Sequence, residues 1–283
     1  MRVAFLGPAG TFSEEALRVF TGAGAAIEEV PHLTVEEAVM AVEVGAVDRA
    51  IVPIENSLEG PVTATLDVLA VEALGVCIAA EMVHPIRHCV IARAPVELAG
   101  VRRVVSHPQA TAQCARFLAD HLPDAERVSV ASTAEAARMV AESDEPWAAI
   151  GTRLAAELYG CRVLAEGVED RPDNVTRFVW LARTGEEHDS VMAGPGAAMK
   201  TSIVFWGFND ASPGALVAVL KELADREVNL TKIESRPRRV RLGHYMFFAD
   251  LEGGTKEERV KDALAGLEQR VETLRVLGSY PVA

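Results

Sequence analysis

Short apolar runs alternate with amphipathic stretches through the first 180 residues of the chain. Arg2 to Leu6, Ala50 to Pro53, Val76 to Ala80, Cys89 to Ala92, Arg103 to Ser106 and Ala148 to Ile150 read as buried strands. Helical patterns separate them. Three open on Thr11-Phe12-Ser13-Glu14, Thr34-Val35-Glu36-Glu37 and Ser132-Thr133-Ala134-Glu135, each the spacing of a capping box, in which hydroxyl and carboxylate satisfy the orphan amides of a first helical turn. Strands alternating with helices predict an α/β architecture with mostly parallel sheets.

The pattern changes twice near the middle. Thr184 to Met199 loses periodicity and gains Gly, Ala and Pro, the composition of a linker. Beyond it come a strand at Thr201 to Phe208, a helix at Ser212 to Glu227, strands at Asn229 to Ser235 and Tyr245 to Leu251, a helix at Thr255 to Arg270 and a strand near Thr273 to Leu277. That order, βαββαβ, is a ferredoxin-like unit with two helices on one face of an antiparallel sheet. The expected organisation is therefore a domain at 1–183, a linker at 184–199 and a small domain at 200–283 whose open sheet edge pairs with another copy.

Composition narrows the function classes. A chain of 283 residues has room for two domains, and 49% apolar with 24% charged residues is a globular mixture. The formal charge of −13 repels a phosphate backbone, which argues against a nucleic-acid partner. The start turns after four apolar residues and no later run is long enough for a membrane span, so a cytoplasmic protein without a membrane partner is expected. Cys77, Cys89, Cys114 and Cys161 form no CxxC pair and read as small core residues. His84 and His88 have the spacing of helical metal ligands, but Pro85 interrupts the helix, so no metal is expected.

Three polar turns stand where predicted strands end, the place where open α/β sheets hold ligands, and a fourth leads into a strand. Gly7-Pro8-Ala9-Gly10-Thr11-Phe12-Ser13 joins a strand to a helix whose free amides attract a carboxylate or phosphate; read alone it is equally a tight turn. It lacks the glycine pattern of a dinucleotide site, against a nicotinamide oxidoreductase. Val52 to Pro61 carries Glu55, Asn56 and Ser57 in succession, an acid or base beside donors and acceptors, or a capped loop. Ser106 to Cys114 opens a helix with Gln109 and Gln113 on one face, suited to a small polar acid or to a surface cap. Arg171 to Trp180 brings Thr176 and Arg177 to the entrance of an apolar strand, where threonine is also an ordinary β-former.

Together, GPAGTFS, PIENSLEG, SHPQATAQC and DNVTRF resemble, in order and wording, the motifs of the prephenate dehydratase family, whose members convert prephenate to phenylpyruvate in phenylalanine biosynthesis. Pro213-Gly214-Ala215-Leu216-Val217 and Glu234-Ser235-Arg236-Pro237 are similar to the two signature segments of the amino-acid-sensing ACT domain that follows in that family. The resemblance implies a carbon-oxygen lyase without metal or cofactor, built as two α/β lobes around a cleft, like a periplasmic binding protein without its export signal. By motif position Thr176 matches the essential threonine, and Glu55, Ser106 and Gln113 match polar catalytic-site residues. Thr11, Asn56, Ser57, Arg177 and Phe178 are the adjacent substrate-binding candidates, and the Arg171-Pro172 opening departs from many relatives. Asn209, Gly214, Ala215, Leu216, Glu234, Ser235 and Arg236 are the candidates for allosteric phenylalanine. No segment before Gly7 has room for a chorismate mutase domain, so a monofunctional enzyme is expected, as a homodimer or homotetramer. The same elimination on arogenate, and a non-catalytic cleft binding a small acid, are the alternatives.

Overall fold

The computed structural model describes residues 1–22, 26–186, 197–208 and 212–283. Its elements run β1 (Arg2–Leu6), α1 (Phe12–Thr21), β2 (Glu28–His32), α2 (Val35–Glu43), β3 (Arg49–Asn56), a short β4 (Gly60–Pro61), α3 (Thr63–Val71) and β5 (Val76–Pro85). They continue with β6 (Cys89–Ala92), β7 (Arg103–Ser106), α4 (Pro108–Gln113), α5 (Ala115–His121), β8 (Glu126–Ser129), α6 (Thr133–Ala141), β9 (Trp147–Gly151), α7 (Arg153–Leu158), β10 (Arg162–Glu166) and β11 (Val175–Arg183). After residues 187–196, the part of the expected linker that lies outside the described residues, come β12 (Met199–Trp206), α8 (Ala215–Ala224), β13 (Leu230–Pro237), β14 (Tyr245–Glu252), α9 (Glu258–Glu268) and β15 (Thr273–Pro281). Among the described residues no helix is long and apolar enough to cross a membrane.

The chain divides into two compact units, residues 1–38, 50–62 and 83–178 in the first and 39–49, 63–82 and 179–283 in the second. The first unit is α/β with two sheets, hence two lobes. One sheet has the order β2-β1-β3-β11-β5, with β4 paired to β3; β11 and β5 contribute residues 175–178 and 83–85 to this unit. The other has the order β10-β6-β9-β7-β8. This second sheet is mixed rather than mostly parallel: β7 runs parallel to β8 and β9, whereas β6 runs antiparallel to β9 and β10.

Its continuous apolar runs follow from cover on both faces. Alternation along the strands sends Val90, Val104, Ala148 and Ile150 into a cluster with Ala110, Cys114 and Leu118 of the α4–α5 side, and Cys89, Ile91, Val105 and Ala149 into a second cluster with Ala136, Val140 and Ala155 of α6 and α7. Cys89 and Cys114 are buried there, and burial pushes the Cys89 thiol up to about 11, which keeps it a core group rather than a thiolate.

The capping signals succeed at two helices and fail at one. Thr34 and Ser132 accept the amides of Glu37 and Glu135, whose carboxylates reach back to the amides of Leu33 and Ala131. At α1 the Thr11 hydroxyl instead donates to the Leu6 carbonyl, 2.9 Å away, and the buried Glu14 carboxylate accepts from Gly10 N–H. Gly10 has φ +92°, a left-handed conformation that L side chains rarely adopt, and a Cβ there would stand 3.1 Å from that of Ala155.

In the second unit β12-α8-β13-β14-α9-β15 form an antiparallel sheet of order β13-β14-β12-β15, with both helices packed on Ile203, Phe205, Ala249 and Leu251. This is the ferredoxin-like βαββαβ unit. Two elements from earlier in the chain are tied to it. The Arg275 guanidinium of β15 donates to the carbonyls of Leu69, Ala73 and Val76, at the end of α3 and the start of β5. Arg236 of β13, with Arg239, holds Asp67 of α3, the Arg236 pair being bidentate at 3.1 and 2.8 Å.

Candidate active site

Within the first unit a cavity of about 370 Å³ takes residues from all four polar turns: Leu6, Gly7, Thr11, Phe12 and Ser13; Pro53 and Asn56; His107, Gln109, Ala110 and Gln113; Asn174, Thr176 and Phe178. Ala131, Ser132 and Thr133 at the start of α6, together with Leu33, Val62, Ile86 and His88, complete the wall. The first turns of α1, α4 and α6 therefore meet one space. The first amides of a helix have no intrahelical acceptor, so this space favours an anion. Among the described residues no Lys or Arg lines it. The positive potential comes from peptide dipoles rather than from ionised side chains.

A chain of neutral side chains crosses the wall, anchored at Asn56. Its Oδ1 accepts the amides of Leu58 and Glu59 at 2.9 and 3.0 Å, so Nδ2 faces the other way, where its two hydrogens are shared among Asn174 Oδ1 at 2.8 Å, the Val175 carbonyl at 3.1 Å and Thr176 Oγ1 at 2.9 Å. Asn174, only 1% exposed, then presents Nδ2 to Gln113 Oε1 at 3.2 Å. The same Oε1 faces His88 Nε2 at 3.1 Å, and Gln113 Nε2 donates to Glu59 Oε1 at 3.3 Å. Since Thr176 Oγ1 already accepts from Asn56, its own hydrogen is available to the cavity, with no acceptor hydrogen-bonded to it among the described residues.

The remaining expected residues have other surroundings. Glu55 and Arg177 alternate with Asn56 and Thr176 along β3 and β11; their side chains pair at 3.3 Å and do not line the cavity. The Ser106 hydroxyl is fully buried and donates to the Ile150 carbonyl at 2.9 Å, tying β7 to β9 behind the wall. Ser57 Oγ accepts the Val175 amide at 3.0 Å, securing the turn beside Asn56. Phe178 is buried, lines the cavity and meets the His84 ring edge-on. His84 lies in β5, hydrogen-bonded to Glu15, and His88 lies just before β6, so the two share no helix.

Sequence reasoning missed His88 and Asn174 as site residues. The signal was available: Asn174 precedes the strand that carries Thr176, and His88 precedes an apolar strand too short to need a polar neighbour. Burial lowers the His88 pKa from the ordinary histidine value; the Gln113 bond and the charges of Glu169 and Glu15 act the other way and do not overcome it.

In the second unit a cavity of about 400 Å³ is lined by Phe208, Ser212, Gly214, Ala215, Leu216, Val217, Gly243, Tyr245 and Phe247. Gly214 precedes α8 in the left-handed conformation, φ +82°; the Ala215 amide donates to the Ser212 carbonyl at 3.1 Å, and the amides of Leu216 and Val217 follow beside three aromatic rings. Gly214, Ala215 and Leu216 are thus placed together. Glu234 and Ser235 on β13 are not in this wall, Arg236 is engaged by Asp67, and Asn209 lies outside the described residues.

Two family models match the chain, prephenate dehydratase over residues 3–186 and the ACT domain over residues 209–269. A prephenate dehydratase of Amycolatopsis methanolica is 43% identical over 281 residues, 99% of this chain and 88% of that protein. Among solved structures, prephenate dehydratase from Arthrobacter aurescens in complex with L-Phe is 42% identical with a TM-score of 0.89, covering 100% of this chain and 90% of that one. GqqA, described as a novel type of quorum quenching acylase, is 32% identical with a TM-score of 0.86, covering 100% of this chain and 98% of that one.

Proposed function

The chain belongs to the prephenate dehydratase family, and on that premise we propose that it is a carbon-oxygen lyase that converts prephenate to phenylpyruvate under control by phenylalanine. The observation that carries the reading is the Thr176 hydroxyl, held by Asn56 as an acceptor and free to donate into a cavity walled by helix starts.

The chemistry follows from the substrate. As the ring carboxylate leaves as carbon dioxide, the bonding pair enters the ring and expels the ring hydroxyl, so prephenate dianion and one proton become phenylpyruvate, carbon dioxide and water. Aromatisation supplies the driving force; the protein must hold the dianion and assist hydroxide departure. Amides of the first turns of α1 and α6 receive the carboxylates. A cation at the ring carboxylate would hold the charge that has to leave, and none lines the cavity. Thr176 donates to the departing oxygen, the bond strengthening as charge grows on that oxygen. Free threonine is too weak an acid to complete the transfer, so the proton reaches the oxygen through Thr176 from solvent. Gln113, Asn174 and Asn56 hold Thr176 in its acceptor role, Ser57 and Ser106 hold the backbone behind it, and the Arg177–Glu55 pair secures the neighbouring strands. Thr11 and Phe178 shape the cavity and its entrance.

In the second unit, phenylalanine would place its carboxylate on the Leu216 and Val217 amides of the first α8 turn and its ring among Phe208, Tyr245 and Phe247. Assembly as a homodimer or homotetramer, with β13 as the pairing edge, and a cytoplasmic location belong to the same reading. The acylase relative marks a different chemistry on a similar fold. Among the described residues no Ser or Thr of the cavity is hydrogen-bonded to His88 or His107, so no activated nucleophile of the kind amide hydrolysis needs is assembled.

The test is release of phenylpyruvate from prephenate by the purified protein, with arogenate assayed alongside and phenylalanine added in a second series. Turnover of prephenate suppressed by phenylalanine is expected. A higher kcat/KM on arogenate would move the substrate assignment, and binding of prephenate without turnover of either would leave a small-acid receptor.

A further inference from the structure

Three neutral side chains, Asn56, Asn174 and Gln113, stand between the backbone turn after β3 and the imidazole of His88, and their hydrogen-bond directions are not independent. Backbone amides of Leu58 and Glu59 can only donate, so the atom of Asn56 facing them is the oxygen. The Val175 carbonyl can only accept, which confirms the amide nitrogen on the other side. The nitrogen of Asn56 then requires the oxygen of Asn174, the nitrogen of Asn174 requires the oxygen of Gln113, and the Glu59 carboxylate agrees by accepting from Gln113 Nε2. At the end of this chain His88 Nε2 faces an oxygen, so it carries a hydrogen.

The surroundings of His88 support one tautomer. Its Nδ1 is buried with no hydrogen-bond partner among the described residues, so a proton there would be a buried donor without an acceptor. The ring is 2% exposed and stands edge-on to Phe12 at 5.3 Å. The charged groups around it are Glu169, which accepts the His88 amide and is paired with Arg87, and Glu15, which is bonded to His84; none of these bonds involves Nδ1. The net lowering of its pKa agrees with a neutral ring.

We propose that His88, as the neutral Nε2–H tautomer, is a positioning residue for the elimination: by donating to Gln113 it locks, from the buried end, the direction that the backbone turn gives to the amide chain through Asn56 and Asn174, and thereby keeps the Thr176 hydrogen aimed into the cavity. This rests on the prephenate dehydratase reading. With the donor gone, the Gln113 amide is held only by Asn174 and by the exposed 3.3 Å bond to Glu59, so it turns over more readily, and a reversed amide would set nitrogen against nitrogen at Asn174. Protonation of His88 acts differently. It keeps the Nε2 donor but places a charge beside Nδ1 where nothing accepts, which displaces the ring and loosens the same chain.

The test uses the full-length protein and three readouts. His88→Leu removes the donor at similar volume and His88→Gln returns an N–H at the position of Nε2. The expected outcome is a kcat for His88→Leu lower by about tenfold or more with KM changed much less, and recovery of most of that loss in His88→Gln, the size of effect that one buried hydrogen bond commands. The acid limb of the wild-type kcat profile, lying below the ordinary histidine value, should be missing in His88→Gln. Nitrogen NMR of isotope-labelled histidine in the wild type should report the neutral Nε2–H form near neutral pH, a readout that needs neither activity nor a stable variant. An Nδ1–H tautomer, or equal kcat in wild type and His88→Leu, overturns the proposal. A wild type that turns over nothing while His88 shows the expected tautomer overturns instead the reading of the site on which it rests, and the positioning role with it.

Discussion

The cavity of the first unit and the sheet of the second hold their neighbours by opposite means. Around Thr176 the fixed groups are neutral: two asparagines, a glutamine, a histidine and the first amides of helices. In the second unit they are charged, with Arg275 on three carbonyls and Arg236 and Arg239 on Asp67 around α3, and Lys200 of β12 on the buried Glu81 of β5 at 2.6 Å. A site that receives a dianion and must release one carboxylate as a neutral gas gains from dipoles whose field is directional and moderate. A scaffold that has only to stay in place gains from the stronger bonds of ionised donors. Burial lowers the Arg275 pKa, yet a guanidinium that donates to three carbonyls stays charged under ordinary conditions.

That contrast can be broken by substitution. The largest effect is expected at Thr176→Ala, with kcat reduced about 10²–10³-fold as for loss of a donor aimed at developing charge, little change in the affinity for prephenate and partial retention by Thr176→Ser. Turnover and calorimetric binding measured together check it; equal kcat would end the donor role. In the charged region Arg275→Met should leave several carbonyls without a donor and lower unfolding stability by about 2–3 kcal/mol, read from the urea midpoint, with no defect in prephenate binding. Asp67→Asn weakens the bidentate Arg236 pair and should cost about 1 kcal/mol, a loss that shrinks in high salt because the pair is partly exposed. A salt-insensitive Asp67→Asn effect would remove the distinction between the two regions.

The smallest effect concerns pH. His88 has a lowered pKa in the native state, so between that value and the ordinary one of 6.5 the unfolded chain binds a proton that the native chain does not. Its contribution is therefore complete above the ordinary value and is lost as pH falls through the native one, with a slope of at most about 1.4 kcal/mol per pH unit. Unfolding of wild type and His88→Gln across mildly acidic pH should differ by that slope.

The strand pattern was legible because cover on both faces makes a run apolar at every position: Cys89–Ala92 and Arg103–Ser106 appear with the ends the sequence implied. The βαββαβ order was legible for a similar reason, its alternation and helical periods being local. The mixed direction of β6 was not, since pairing with β9 and β10 depends on residues some 60 positions away. At the site, four turns were readable as motifs, but the side of each strand that a residue occupies was not. Glu55 and Asn56 are adjacent in the chain, yet one pairs with Arg177 and the other holds Thr176.

By itself, then, the sequence determined the most buried strands, the βαββαβ order of the second unit, the turns that carry the polar residues and the family to which they belong, because periodicity and motif spacing are properties of neighbouring positions. The half-exposed strands β2, β8 and β10 lack that apolar run and came only with the structure. Tertiary structure alone decided that Asn56, Asn174, Gln113 and His88 form one directed chain, and that α3 is held by arginines from β13 and β15. Hydrogen bonds between residues 25 to 206 positions apart are set by where packing brings the elements together, and no local pattern encodes that distance.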